Sequence, residues 1–330
     1  SYFGFALPNT YYAKVSDNTV YNFVEGLKYA IGFITNFHFV ITVFAILLFV
    51  TSFFQLRNLF WAQIKNANAL MGTKGLQGII FISAIIAIAL VLPLLTGGDH
   101  FGGYRFYQGI LPLFCWGIPA IIYLYQQGVL NRNRSGFFAL LTTAVLIAFA
   151  TFFETIYELK NVAKTTILHE FTLAANGRKL ANEMNDFWPA AKPSIGIITV
   201  GGFGFEYIGA TIDLMGLNNI EMGHSAGDRK GLKNHAAFNK DVFYNMNPDL
   251  LLPHTVSNET VAKKRLAEMQ GPFNFENIAM KNIFNDTTFK QKYTPVCIAK
   301  NNKQVFAFAS NQFLASMKKI ETLVIKEVAF

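Results

Sequence analysis

Apolar residues are concentrated in the first half of the chain. Four long apolar runs each approach the roughly 20 residues that a helix needs to cross a lipid bilayer. In lipid every backbone N–H and C=O must be hydrogen bonded within the segment, so we expect helices, the third of them kinked or partly broken by Pro112 and Pro119. The predicted spans are 29–54, 78–96, 109–125 and 136–157.

After about residue 160 the pattern becomes that of a globular domain. Short apolar runs typical of buried strands alternate with segments of helical spacing such as 259–269, which indicates an α/β domain. The predicted fold class is therefore mixed: a polytopic α-helical membrane domain at 1–158, followed by a small soluble extracytoplasmic α/β domain at 159–330. The strand-like runs lie at 195–200, 210–216, 249–253, 294–299 and 304–309.

Composition supports this division. Of the 330 residues 52% are apolar and 15% are charged, whereas soluble domains carry about 25% charged residues. The net charge is +8, but no basic run is interleaved with aromatic residues, so we expect membrane lipid as a partner and no nucleic acid. Cys115 and Cys297 are far apart, so neither a disulfide framework nor a zinc cluster is indicated.

Basic residues between the runs predict the orientation. The two connections that hold Lys and Arg without any acid belong in the cytoplasm. The loop at 97–106, residues 1–28 and the α/β domain are then expected on the outer side. Because the chain starts at Ser1 on that side, we expect it to be the C-terminal part of a longer membrane protein. The basic residues are Arg57, Lys65, Lys74, Arg132 and Arg134.

The segment GGDHFGGYRF at 97–106 is the most unusual short stretch. Its four glycines allow the backbone to bend closely around a ligand. Two interpretations are open: Asp99 and Arg105 pair and cap helix ends, or the segment forms a substrate-binding rim with His100 and Tyr104. In the second case Arg105 would hold a phosphate, and Asp99 or His100 would bind sugar hydroxyls or a metal ion. One Asp and one His make an incomplete metal site.

Two further segments carry candidate substrate-binding residues. In the N-terminal segment at 4–15 these are Asn9 and Lys14; Lys14 would contact lipid headgroups or serve as a point charge for a phosphate. In the run IDLMGLNNIEMGHS at 212–225 they are Asp213 and His224. Asp213 ends an apolar strand, where α/β domains place ligand contacts, or it binds the backbone N–H groups of the turn. A structural role for His224 is the competing interpretation.

These three segments together resemble membrane glycosyltransferases of the GT-C class, in the branch of the bacterial terminal arabinofuranosyltransferases. The resemblance is carried by LPNTYYAK at 7–14, GGDHFGGYRF at 97–106 and IDLMGLNNIEMGHS at 212–225. It implies an enzyme of the bacterial inner membrane, multi-pass, with its C-terminal domain in the periplasm.

The implied reaction moves a sugar from a polyprenyl-phosphate carrier to an envelope glycan, lipid or protein. The catalytic base is expected upstream of Ser1, so no catalytic residue is assigned here. No cofactor is assigned, and a divalent cation stays an open alternative.

Two other function classes are alternatives. A non-catalytic membrane subunit could use the same scaffold as a docking module in an envelope complex. A transporter is less favoured, because the predicted spans hold few ionisable groups, among them His38 and Glu154. The chain contains no HExxH or Walker A sequence, which argues against metalloprotease and ATPase functions.

Overall fold

The computed structural model describes residues 4–36, 74–99, 104–109, 166–189, 191–316 and 323–329. The chain divides into two compact units, one formed by Ser1–Asp17 with His169–Phe330 and the other by Asn18–Leu168. We call the first the α/β unit and the second the helical unit. The α/β unit is therefore assembled from two parts of the chain that are far apart in sequence.

The described elements are numbered in chain order. The helices are α1 Asn9–Lys14, α2 Thr19–Asn36, α3 Lys74–Thr96, α4 Arg105–Gln108, α5 Thr166–Phe187, α6 Val200–Glu206, α7 Ile220–Gly223, α8 Lys240–Met246, α9 Glu259–Met269, α10 Phe275–Ala279, α11 Thr287–Lys292 and α12 Asn311–Ser316. A 3₁₀ turn spans Ile283–Asn285. The strands are β1 Ile195–Ile197, β2 Thr211–Asp213, β3 Leu250–Val256, β4 Tyr293–Lys300, β5 Lys303–Ser310 and β6 Val324–Glu327.

In the helical unit, α2 packs closely against α3. A side chain on Gly26 would come within 2.5 Å of the Pro93 carbonyl oxygen, so glycine is what allows the two backbones to approach. Apolar contacts continue into α4, where the rings of Tyr29 and Tyr107 stack with centroids 5.4 Å apart. Tyr29, Phe33 and Tyr107 are buried together.

The structure corrects the predicted fold class. No helix among the described residues has both the length and the apolar character needed to cross a membrane, so the prediction of a polytopic membrane domain is wrong. Helix α2 begins at Thr19, ten residues before the predicted span at 29–54, and Tyr29 and Phe33 of that span are buried together with Tyr107. The predicted span at 78–96 falls within α3.

Three parts of the predicted spans lie outside the described residues. They are residues 37–54, the span at 109–125 beyond Gly109, and the whole of the span at 136–157.

The α/β unit is built on a six-stranded mixed sheet with the order β2-β1-β3-β5-β4-β6. Strands β1, β2 and β3 are parallel, whereas β3–β5, β5–β4 and β4–β6 are antiparallel. Each of the five strand-like runs in the sequence overlaps one of β1–β5, and β6 was not predicted. Parallel neighbours need crossover connections, and α6 supplies the one from β1 to β2.

Both faces of the sheet are covered. One buried cluster includes Leu251, Phe284 and Phe306, and the other includes Phe187, Ile195 and Val305. Strand β5 contributes to both clusters because successive side chains point to opposite faces of a strand. Five of the short helices begin at a residue whose side chain accepts a backbone N–H, which satisfies a donor that the helix leaves free. These caps are Asn219, Asn239, Asn258, Asn274 and Asp286.

Candidate ligand-binding site

The N-terminal residues 4–17 contact the loop that follows β2. We call residues 4–17 the N-terminal strap. The side-chain amide nitrogen of Asn9, Nδ2, donates to the carbonyl oxygens of Gly216 at 2.6 Å, Leu217 at 3.0 Å and, more weakly, Asn219 at 3.4 Å. These carbonyls form the turn between β2 and α7, so one side chain holds that turn in place.

An aromatic cluster extends the same contact. The imidazole of His224, just after α7, lies 4.1 Å from the ring of Phe5 and 4.0 Å from the ring of Tyr12, measured between centroids. His224 Nε2 is buried and has no hydrogen-bond partner among the described residues. The structure thus brings two predicted site residues, Asn9 and His224, to one contact between the strap and the loop.

Asp213 ends β2 and organises the turn after it. Its Oδ1 accepts the Met215 N–H at 2.9 Å and its Oδ2 accepts the Asn218 N–H at 2.8 Å. The residue is only 3% exposed. Burial raises the pKa of the Asp213 carboxyl, and the backbone N–H groups of the turn lower it in part. Of the two predicted roles, the hydrogen bonds correspond to the turn-binding one.

An open depression of about 470 Å³ lies beside the edge strand β2. We call it the β2-edge depression. Because the register pairs Ile197 with Asp213, β1 and β2 end level, and the depression lies at the kind of parallel-strand edge where α/β folds bind ligands. Its lining comes from the start of α6, β2 itself, the Asn9-bound turn, the start of α7 and the end of α8. The residues are Val200, Thr211, Ile212, Asp213, Asn218, Asn219, Ile220, Glu221 and Met246.

Three polar groups of this lining are unused. The buried hydroxyl of Thr211 has no hydrogen-bond partner among the described residues. Asn218 and Glu221 are exposed, and within the described part of the chain neither side chain is engaged in a hydrogen bond or an ion pair. Asn219, in contrast, is occupied, because its Oδ1 caps α7 and its Nδ2 lies 3.3 Å from Met246 Sδ.

The lining of the depression is partly polar, and its only ionisable side chains are the carboxyl groups of Asp213 and Glu221. It contains no Lys, Arg or His, so it does not offer the cationic donors that a phosphate or carboxylate ligand requires. Ile212, Ile220 and Met246 supply apolar surface. Amide, hydroxyl and carboxylate groups around an apolar floor are suited to a neutral ligand with many hydroxyls.

The other predicted site residues belong to the helical unit or lie apart. Arg105 Nε donates to the Asp99 carboxylate, and the Asp99 side chain is only 1% exposed. Tyr104 adopts a left-handed backbone at φ 48° and packs on Tyr29. His100 lies outside the described residues. Lys14 is half-buried in the last turn of α1.

The structure also adds residues that the sequence argument did not single out. Thr211, Glu221 and Met246 join the depression only because β2, α7 and α8 meet there. Asn218 lies in the turn after β2, where its N–H is bound by Asp213. The useful signal in the sequence was position, since Asn218 and Glu221 closely follow the carboxyl end of a buried strand.

No group of three or more His, Cys, Asp or Glu side chains suited to a metal ion occurs among the residues that the structure describes. The β2-edge depression brings together two carboxylates, Asp213 and Glu221, and that of Asp213 accepts backbone N–H groups. The divalent cation considered from the sequence stays an untested alternative.

Comparisons of the chain with protein-family models, with curated protein sequences and with solved structures gave no match. The resemblance to GT-C glycosyltransferases therefore rests on the three segments named above.

Proposed function

We propose that the chain is a glycosyltransferase whose α/β unit binds a sugar acceptor in the β2-edge depression. The observation that supports this most directly is the lining: three unused polar groups, on Thr211, Asn218 and Glu221, around an apolar floor without a cation. Sugar hydroxyls both donate and accept hydrogen bonds, so a hydroxyl, an amide and a carboxylate can each bind them.

The reaction follows from the resemblance and from the chemistry of the groups. An acceptor hydroxyl oxygen bonds to the anomeric carbon of a polyprenyl-phosphate-linked sugar, and the bond from that carbon to the carrier phosphate oxygen breaks. The hydroxyl proton passes to a base, and the carrier leaves as the phosphate. The β2-edge depression would fix the acceptor so that one hydroxyl is presented to the donor, which lowers the barrier by orientation.

The strap has a definite part in this proposal. Asn9 binds the carbonyls of the turn that displays Asn218, and Asp213 binds the Asn218 N–H from the other side. Both are positioning residues, because they contact backbone atoms and leave the side chain of Asn218 to the ligand. In this proposal the segments 7–14 and 212–225, which are far apart in sequence, act on one site.

Binding can be measured on the full chain by titration with neutral pentoses and hexoses. We expect one or more of these sugars to bind, and Asn218→Ala or Glu221→Gln to weaken binding by about tenfold, as for one hydrogen bond to a charged group or two neutral ones. Glu327→Gln on β6, at the opposite edge of the sheet, is the matched control and should bind as the parent does. Absence of sugar binding, or unchanged affinity in both site variants, would refute the proposal.

Transfer is the second measurement. With a polyprenyl-phosphate-sugar donor and the sugar that binds best, the full chain should form a glycosidic product, and Asn218→Ala should raise the KM for the acceptor more than it lowers kcat. Sugar binding without any transfer would contradict the enzymatic part and favour the docking module instead.

A further inference from the structure

A pair of cationic side chains flanks one glycine in the loop after α7. Gly227 has φ +143°, a conformation that only glycine adopts readily. A side-chain carbon built there would lie 3.6 Å from Arg229 Nη1 and 3.9 Å from Lys281 Nζ, with no other non-neighbouring atom of the described residues within 4 Å. The vacant side-chain position of Gly227 is therefore a point approached by two positive charges.

Arg229 is held rigidly at this point. Its Nε donates to the Tyr12 carbonyl oxygen at 3.1 Å, and its Nη2 donates to those of Gly223 and Ser225 at 3.1 and 2.7 Å. Nη1 donates to the Gly227 carbonyl oxygen at 3.0 Å. Each terminal nitrogen of a guanidinium carries two N–H groups, and Nη1 has no second hydrogen-bond partner among the described residues. One directed donor thus remains beside Gly227.

Lys281 supplies the second charge from another part of the chain, between α10 and the 3₁₀ turn. Its backbone has φ 52°, and Asn282 follows at φ 58°, so two consecutive residues take the left-handed conformation that side chains disfavour. Its ammonium makes no hydrogen bond or ion pair within the described part of the chain. Burial and the nearby Arg229 lower the pKa of Lys281, and Asp228 raises it in part.

The nearby acids are already engaged. Asp228 accepts from the Ser16 hydroxyl at 3.3 Å and from the Lys230 N–H at 3.1 Å, and its carboxylate pairs with the Lys230 ammonium at 3.3 Å. Asp286 pairs with Lys240 at 2.9 Å. Asp17 and Asp228 offset part of the charge on Arg229, and Asp17 does not approach the side-chain position of Gly227 within 4 Å.

We propose that Arg229 and Lys281 form a binding site for a phosphate group, which can approach both cations because Gly227 has no side chain between them. The oxygens of a phosphate bound beside Gly227 would be within reach of both cations, would accept the remaining Nη1 hydrogen, and would offset the repulsion between the two charges. The site is distinct in chemistry from the β2-edge depression, which has no cation in its lining. It stands whether or not the depression binds sugars.

The test uses the full chain and phosphates that carry no sugar. Inorganic phosphate and methyl phosphate represent a free phosphate source, and geranylgeranyl phosphate in neutral detergent micelles represents a lipid-linked source. We expect at least one to bind, and Lys281→Gln to weaken that binding by about tenfold, the loss expected for one charge-assisted hydrogen bond. Lys281→Arg keeps the charge and should retain most of the affinity.

Two controls make the outcome decisive. Lys264→Gln removes an exposed cation from α9 and should leave phosphate binding unchanged, as should Glu221→Gln in the β2-edge depression. Binding of the soluble phosphates would identify a free phosphate as the ligand, and binding of the prenyl phosphate alone would identify a lipid-linked one. If none of the three binds, or if Lys281→Gln binds as tightly as the parent, the proposal is wrong.

Discussion

The Asn9 side chain donates a 2.6 Å hydrogen bond to the carbonyl oxygen of Gly216, a residue 207 positions further along the chain. The same Nδ2 group reaches the Leu217 carbonyl oxygen at 3.0 Å. Through this contact the N-terminal strap becomes part of the α/β unit, and it shapes the turn that lines the β2-edge depression.

Removing this amide should loosen the strap and the turn together. We expect Asn9→Ala to lower the free energy of unfolding of the α/β unit by about 1–3 kcal/mol, because partly buried carbonyl groups lose their donor. Urea unfolding would measure the change in the free energy of unfolding, and hydrogen exchange of the native-state amides at 214–223 would measure the loosening of the turn. Gln291→Ala, an exposed amide at the end of α11, is the control, and faster exchange confined to the strap would contradict the proposed coupling.

Asp213 offers a sharper test, since the substitution can be nearly isosteric. In Asp213→Asn one side-chain acceptor becomes an NH₂ group that faces a backbone N–H of Met215 or Asn218. We expect the free energy of unfolding to fall by about 1–3 kcal/mol and sugar binding to weaken as the turn shifts.

The matched control is Asp186→Asn, because the Asp186 side chain is 70% exposed and forms a surface ion pair with Lys303. Surface pairs of this kind contribute little, so this variant should unfold as the parent does. Equal stability of Asp213→Asn and the parent would show that the two N–H bonds do not hold the turn.

The lowered pKa of His254 predicts that the free energy of unfolding depends on pH. Burial, with help from Arg265, lowers the pKa of His254 to about 4, while Glu276 opposes the shift. In the unfolded chain the imidazole takes up a proton near pH 6.5, so the folded state should lose stability as the pH falls from about 6.5 to about 4. The contribution of this residue is of the order of 3 kcal/mol at most.

Urea midpoints measured across that pH range would reveal this contribution. His254→Gln should have a flatter profile than the parent between pH 6.5 and 4, whatever its stability at neutral pH. His169→Gln, on the exposed start of α5, should keep the slope of the parent. An identical slope in His254→Gln and the parent would rule out this histidine as the source.

In the helical unit, variants of Asp99 and Arg105 can distinguish a structural role of this ion pair from a functional one. Because the Asp99 carboxylate is buried, Arg105→Met should lower the free energy of unfolding by about 2–3 kcal/mol, less than for a fully buried pair since Arg105 is half exposed. The double variant Asp99→Asn/Arg105→Met should recover most of this loss in thermal unfolding. If the double variant is no more stable than the single one, the pairing does not account for the burial of Asp99.

The same double variant tests the role that the resemblance gave Arg105. If Arg105 also binds a phosphate of the donor, the double variant should regain stability and still show reduced transfer. Transfer equal to that of the parent would remove Arg105 from the mechanism.

Local patterns gave the positions of several elements. The apolar runs around Ile195, Val296 and Val305 became strands because buried strands need continuous apolar residues on both faces. Asp213 was recognised as the end of a strand for the same reason. The long apolar segment at 78–96 was correctly expected to be helical, but its interpretation as a membrane span was not supported.

What the sequence alone determined was local: where strands and helices form, that Asp213 begins a turn, and that Asn9, Asp99, Arg105 and His224 needed an explanation. The tertiary structure decided the partners. It joined the strap to a loop 207 positions away, gathered Thr211, Asn218 and Glu221 in one depression and set Arg229 beside Lys281. The physical reason is that local pattern reports the preferences of neighbouring residues, whereas a site depends on contacts between distant ones, which only the packed chain specifies.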